Sequence, residues 1–467
     1  MLNIILLIIY IATILAVIFV ERKNPTEAML WVIIMVCIPY AGVLLYLVFG
    51  STMAIKLTSV FRRRRLSRRL SAAKTPENLL VDQKFSEEDL QVMRFNVNYN
   101  NSPVTCYDDY QLFVTGETHY RALFQDLKEA KDNIYVLFYT IHYDIMGEAL
   151  VKALTDKAKE GVTVLVMCDY MVNLSTPPKM FQPLLKAGGK VIRVKPYLTH
   201  YRSHRKIVTI DHKIGYIGGM NIGKQYANLS EKKNPWRDTQ IRLTGACTAI
   251  LDGYFMTDFL CTVRRKDWED MVKHMESIHI PQQRRTSNLC QFVVGGVDND
   301  REAVKMNYLS MIRSAKKKIR IQSPYFIPDA SVLDALKTAA ASGVEVELII
   351  PGIKASFFLD PVTTYYTGQI MGFGARAYKY HGYIHAKTMT IDEEICCIGS
   401  VNMDMRSLLV DDEICGIFYA NDLVEEYIRI FEKDIQDCEP YHYNQFLNRG
   451  WKEKFVECVF LPFAPLM

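Results

Sequence analysis

The sequence predicts an α/β protein made of two tandem copies of one unit, preceded by a hairpin of two apolar helices. Three observations carry that prediction. A His-x-Lys pattern, followed by an Asp, a glycine turn and an Asn, occurs at His204 and again at His385, 181 residues on. Strand-like and helix-like segments alternate in the same order around both occurrences. Two long uncharged runs open the chain.

The opening runs come first. Residues 2–20 are apolar apart from Asn3 and Thr13, and about 20 such residues span a bilayer as a helix. A short polar link at 21–27 leads to a second uncharged run at 28–49, with Trp31, Tyr40 and Tyr46 as interfacial or packing aromatics. Pro39 can kink this second helix without ending it, since membrane helices tolerate proline. A signal peptide would carry positive charge before its apolar stretch and a small-residue cleavage site after it, and neither is present.

Lys56, Arg62, Arg63, Arg64, Arg65, Arg68, Arg69 and Lys74 then place eight positive charges on a stretch without an acid. The positive-inside rule puts everything after residue 50 in the cytoplasm of a cell-membrane protein. The same run suits an anionic membrane surface. Removing these eight charges from the net +5 leaves the rest of the chain at about −3, which argues against nucleic acid as a partner.

From residue 104 the alternation begins. Residues 133–140 read as a strand, 147–159 as a helix and 162–168 as a strand. Residues 183–187 then read as a helix, with strands at 190–194 and 204–211. The second copy follows with a strand at 319–323, a helix at 331–341, and strands at 343–350, 376–380 and 385–392. Gly161 and Gly343 stand at corresponding breaks, 182 residues apart, so the offset is nearly constant. The chain accordingly divides into two transmembrane helices within 1–55 (about 2–20 and 28–49), a basic membrane-proximal linker at 56–103, a first unit at 104–264, a linker at 265–300 and a second unit at 301–467. The 467 residues, 49% of them hydrophobic, suffice for two full cores. Eleven cysteines, an odd number without a Cys-x-x-Cys, read as free thiols, with Cys168, Cys396, Cys397 and Cys415 in apolar strands.

The doubled pattern carries the chemistry. His204 and Lys206, like His385 and Lys387, stand at i and i+2 on a strand and so share a face. Two imidazoles in one place can attack phosphorus and protonate a leaving alcohol, while the lysines hold negative charge. Gly218 and Gly219, and Gly399 and Ser400, let backbone approach closely. Asn221 and Asn402 are expected to bind phosphate oxygens. Asp211 and Asp392 complete the catalytic set as groups that tune or orient the site. No cofactor or metal is expected, because the lysines and amides supply the charge stabilisation and no metal-ligand spacing occurs. Neither copy is complete, so the active site is expected between them.

These paired motifs resemble those of the phospholipase D superfamily, and nearly the whole chain is similar to bacterial cardiolipin synthases. The similarity takes in Glu21-Arg-Lys-Asn-Pro, Trp236-Arg-Asp-Thr, Gln322-Ser-Pro-Tyr-Phe-Ile-Pro-Asp, Gly399-Ser-Val-Asn-Met-Asp-Met-Arg-Ser and the C-terminal Ala464-Pro-Leu-Met. The resemblance implies two phospholipase D-like α/β/α domains and transfer of a phosphatidyl group between two phosphatidylglycerol molecules, giving cardiolipin and glycerol. It implies His204 as nucleophile and His385 as general acid. Leu137, Ala355-Ser356 and Leu409 depart from the family pattern of Glu, Asp-His and Glu, while Glu413 keeps it. The departures leave open another phosphatidyl donor, another alcohol, or water. A nuclease and a non-enzymatic scaffold are the readings outside lipid chemistry. Phe357-Phe358 and Tyr365-Tyr366 fit either an access path for lipid chains or core packing, and the sequence leaves the oligomeric state open.

Overall fold

The computed structural model describes residues 2–20, 25–47, 85–195, 202–230, 235–263, 288–296, 302–354 and 356–467. The basic run at 56–74, most of the 265–300 linker and Ala355 lie outside the described residues.

The first apolar run forms an α-helix, Leu2–Leu15, continued by a π-helical turn, Ala16–Val20. The second is divided: one helix spans Pro25–Cys37, and a short one, Ala41–Leu45, follows a turn at Pro39 in which Tyr40 takes φ 63°. Proline lacks the amide donor and crowds the preceding turn, so here it ends the helix rather than merely bending it. Val17, Trp31, Met35, Val43 and Tyr46 pack together, while Ile4, Ile8, Phe19, Met29 and Val36 face outward. No helix among the described residues is long and apolar enough to cross a membrane.

The rest of the chain forms two mixed sheets. The first has the strand order Tyr110–Phe113, Gln240–Thr244, Ile214–Gly218, Ile207–Ile210, Asn133–Phe138, Thr163–Asp169, Lys190–Val194. The second contains the same seven-strand order as Leu289–Gly295, Glu413–Tyr419, Ile395–Gly399, Thr388–Ile391, Lys318–Gln322, Glu345–Pro351, Arg376–Tyr380, and adds Thr105–Cys106 and Cys438–Tyr441 at its edges. In each, the last three strands of the seven run parallel and the others pair antiparallel. The tandem repeat is therefore a repeat of topology. Helices Gly116–Glu129 and Ile145–Lys159 contribute to the apolar core of the first sheet, and Ala303–Ser314 and Ala330–Ala341 to that of the second.

The halves meet through one shared apolar core. Leu137, Ile207 and Ile217 of the first half pack with Cys396, Ile398, Ile414 and Phe418 of the second, joined by helices Cys247–Thr262 and Asp422–Gln436. Cys168, Cys396, Cys397 and Cys415 are buried free thiols.

Two segments expected as linkers are structured instead. Leu289–Gly295 is a nearly wholly buried strand inside the second sheet. Both its faces are covered, and even polar Gln291 is buried there, donating to the Ser102 carbonyl at 2.7 Å, so polar–apolar alternation does not betray the strand. Helix Glu87–Asn98 starts on a Ser86 cap with Glu87, Glu88 and Asp89 in its first turn, which suits the positive end of a helix. It packs on the second half, where Asn96 donates to Asn307 at 2.9 Å. The segment from 85 to 106 thus belongs with the second sheet although it precedes the first in sequence.

Candidate active site

Each motif strand is shorter than its pattern suggests: Ile207–Ile210 and Thr388–Ile391 are the paired residues, and each histidine sits on extended backbone just before them. That backbone is held by the opposite half. Ser203 bridges Asp412, and His204 N donates to the Asp412 carbonyl at 2.9 Å. Reciprocally, Tyr383–Ile384 pairs with Trp236–Arg237, and His385 N donates to the Arg237 carbonyl at 2.6 Å. Arg237 is itself buried and bidentate to Asp434 of the second half, at 3.1 and 2.6 Å.

The side chains repeat this exchange. His204 Nδ1 lies 2.8 Å from Glu413 Oε1, and His385 Nδ1 lies 2.6 Å from Asp238 Oδ2. A carboxylate on Nδ1 fixes the ring and leaves Nε2 for chemistry. Lys206 Nζ donates to the His204 carbonyl at 2.6 Å, and Lys387 Nζ to that of His385. Tyr139 stands edge-on to His204 at 4.7 Å, while Trp236 and Tyr226 flank His385 at 5.3 and 5.8 Å. The two imidazole side chains remain 11% and 12% exposed, so a substrate can reach them from one side.

The electrostatics join the halves. Burial holds His204 well below an ordinary imidazole, helped by Lys206 and by Lys387 from the other half. Burial and Lys387 bring His385 down to about 4. Burial also lowers Lys206 to about 7 and Lys387 to about 8, against the pull of Glu413 and Asp238. Burial raises Glu413 to about 8, opposed by Lys206 and the Ser400 hydroxyl. Asp238 stays below the usual carboxylate range: burial works against it, but His385 and Lys387 outweigh burial. The result is a pocket that gathers two lysines and two imidazoles, suited to a negatively charged substrate.

Other expected site residues are placed differently. Asp211 and Asp392 stand at the far ends of their motif strands with left-handed φ of 52° and 49°. Asp211 accepts from the backbone N–H groups of Lys131, Asp132 and Asn133 at 2.8–3.1 Å, and Asp392 from those of Lys316, Lys317 and Lys318. Each lies seven positions along the chain from its motif histidine, roughly 20 Å if extended, so neither carboxylate meets a motif imidazole. Asp211→Ala is expected to cost about 1–2 kcal/mol of stability, read by urea unfolding, with the activity of the folded fraction within a few-fold of the parent.

Asn221 is likewise engaged: its carboxamide accepts from Thr140 N at 3.1 Å and donates to the Tyr226 hydroxyl at 2.8 Å, steadying a ring beside His385. Asn402 is 8% exposed, and its carboxamide oxygen is buried without a hydrogen-bond partner among the described residues.

The carboxylates on the imidazoles, Asp238 and Glu413, fall outside the expected set. They are counterparts. Gly218 pairs with Gln240 and Gly399 with Cys415, and each acid stands two residues before that partner. Asp238 follows Asn221 by 17 residues whereas Glu413 follows Asn402 by 11, which hid the match. The neighbours are matched to acid length. Ser400 donates to Glu413, whereas a Cβ at Gly219 would lie 2.1 Å from Asp238 Oδ1. Gly219→Ala is expected to displace Asp238 and lower kcat about 10²-fold, given how steeply rate follows positioning, with circular dichroism and unfolding midpoint nearly unchanged.

Two tandem α/β units sharing a site of two carboxylate-held histidines and two lysines define the class: phosphodiester-transfer enzymes of the phospholipase D superfamily. The family described as "Cardiolipin synthase, PLD-like domain" matches residues 123–234 and 308–435, and "Phospholipase_D-nuclease N-terminal" matches residues 8–51. A cardiolipin synthase of Listeria monocytogenes serotype 4b (strain CLIP80459) is 32% identical, covering 99% of this chain and 98% of its own length. The major cardiolipin synthase ClsA of Bacillus subtilis (strain 168) is 33% identical, covering 97% and 96%. A phosphatidylserine synthase structure from Haemophilus influenzae Rd KW20 shares the fold at TM-score 0.60 and 15% identity, covering 80% of this chain and 97% of its own. The chain belongs to the cardiolipin synthase, PLD-like family.

Proposed function

We propose that the protein is a membrane phosphatidyltransferase making cardiolipin and glycerol from two phosphatidylglycerol molecules. The reading rests on one observation above others: each imidazole is oriented by a carboxylate of the opposite half, which makes two half-sites into one. His204 Nε2 attacks phosphorus and forms a P–N bond. The P–O bond to glycerol breaks, and His385 delivers its proton to the departing alkoxide. The substrate's phosphodiester charge, arriving beside His385, favours the protonated imidazole that this step needs. A headgroup hydroxyl of the second lipid then gives its proton to His385 and attacks phosphorus. The P–N bond breaks, and His204 is restored. Lys206 and Lys387 stabilise charge on the equatorial oxygens, with Asn402 the freer of the two expected amides. Asp211 and Asp392 anchor turns.

The apolar runs at 2–20 and 28–49 would form a transmembrane hairpin, with the catalytic units on the cytoplasmic side and the basic run 56–74 on anionic headgroups. A membrane-held acceptor at high local concentration favours transfer over hydrolysis. The test is purified full-length protein in phosphatidylglycerol vesicles, with cardiolipin and glycerol expected in equal amounts. Phosphatidic acid as the only product would overturn the reading. Adding phosphatidylethanolamine to the same vesicles tests the donor, a question raised by Leu137, which is buried in the shared core, and by Ser356, whose hydroxyl accepts from Leu359 N.

A pH dependence follows. His204 is held neutral well below pH 6.5, so kcat/KM is expected to persist on the acid side past the range of a free imidazole. Lys206, lowered to about 7, and Lys387, lowered to about 8, lose their charges as pH rises through those values, so kcat/KM falls across that range, with the later fall belonging to Lys387. Lys387→Arg, which keeps its charge, should move that fall to higher pH in a profile of initial rates.

A further inference from the structure

The two sheets carry corresponding loops at the mouth of the site. The strand Thr163–Asp169 ends beside His204, where Asp169 Oδ2 accepts from Ser203 N at 3.3 Å. Its counterpart Glu345–Pro351 ends beside Ser323, whose hydroxyl accepts from the N–H of Met403, next to Asn402. The loop after the first strand exposes Met171 and Leu174, and the loop after the second exposes Phe357 and Phe358. Exposed large apolar side chains at matching places in both repeats are unusual for a water-facing rim.

The C-terminal helix Trp451–Phe460 extends this rim. The Phe357 ring meets Phe460 edge-on at 5.5 Å. Phe460, Leu461 and Met467 pack, as Met405 does, against Ile327, Val362 and Ala464, and the Met467 carbonyl accepts from Arg406 N, four residues beyond Asn402. Trp451, Phe455 and Val459 recur at helical spacing on the outer face, with Trp451 73% and Phe357 76% exposed. The inner face carries Glu457, buried and paired with Arg449 at 2.7 Å. Lys354, Lys452 and Lys454 are exposed around the patch, with Glu453 the acid on that turn. Exposed Arg202 sits at the mouth, acting electrostatically on Tyr139 and His204 of the first half and on Tyr325 of the second.

We infer that this face, with Met171, Leu174, Phe357, Phe358, Trp451 and Phe455 as its apolar contacts, docks into an anionic lipid bilayer and turns the mouth of the site onto the headgroups. The inference rests on the reading of the substrate as a lipid and adds a second membrane contact, separate from the N-terminal helices. Aromatic side chains rimmed by lysines are the composition of interfacial anchors, and exposed Arg202 at the mouth matches an anionic headgroup. It also removes a transfer problem, because a docked mouth lets a lipid phosphate reach the histidines without its chains crossing water.

The test uses full-length protein in vesicles of phosphatidylglycerol and phosphatidylcholine containing chain-labelled, fluorescence-quenching lipid. Emission from Trp451, taken as the difference between the parent and Trp451→Phe, is expected to be quenched. A second variant, Leu174→Ser with Phe357→Ser, is expected to lower transfer from bilayer phosphatidylglycerol about tenfold while leaving the rate on a short-chain, monomeric phosphatidylglycerol unchanged. Unquenched Trp451 overturns the inference, and unquenched Trp451 in a cross-linkable dimer gives the face to a second copy of the chain. Equal loss on both substrates, or loss on neither, also overturns it. Quenched Trp451 in a protein that makes no cardiolipin supports the docking face and sinks the catalytic reading instead.

Discussion

His204→Asn is expected to lower phosphatidyl transfer by about 10⁴-fold or more, because it removes the proposed nucleophile while keeping the volume of the ring's near half. His385→Asn is expected to fall nearly as far, and the double variant no further. That non-additivity is the signature of residues acting on one reaction coordinate. Two independent sites would instead leave each single variant with about half the parent activity. The distinction matters because the repeat alone is compatible with both arrangements. Only the cross-half contacts favour one: Glu413 on His204, Asp238 on His385, and each lysine felt by the other half's histidine.

The second large effect concerns those carboxylates. Asp238→Asn and Glu413→Gln are each expected to cost roughly 10³–10⁴-fold in kcat, as when the acid that fixes a catalytic imidazole's tautomer is neutralised. The change is nearly isosteric, so the fold is retained. The two variants should differ in step. With Glu413→Gln, whose amide nitrogen can donate to Nδ1, formation of the phosphohistidine slows, since Nε2 no longer reliably carries the lone pair. With Asp238 neutral, the proton transfers fail, so a donor with a better leaving group than glycerol should restore the first step to Asp238→Asn but not to Glu413→Gln. Single-turnover rates with the two donors measure this.

Much of this was readable before the structure. The strands expected at 190–194 and 376–380 stand at those residues, each after a glycine break that follows a helical segment. His204 with Lys206 and His385 with Lys387 were legible because same-face spacing on extended backbone is a local property. What escaped was non-local. Leu289–Gly295 is buried on both faces and shows no alternation. Helix Glu87–Asn98 follows a basic stretch and draws its packing from residues more than 200 positions away. Asp238 and Glu413 work across the interface of the halves, at unequal distances from their motifs. Asp211 and Asp392 belong to the pattern by sequence, yet their carboxylates cap turns. The motif thus mixes chemistry with architecture, and spacing alone does not separate them.

The most direct test of the shared site is to mix full-length protein with phosphatidylglycerol labelled in its phosphatidyl part, quench within one turnover, and locate the label by peptide mass spectrometry. One phosphatidyl group per chain on His204, transferred to cardiolipin on a chase with unlabelled phosphatidylglycerol, is the expected result. Label on both histidines, or label at His204 that chases only to phosphatidic acid, would contradict the account.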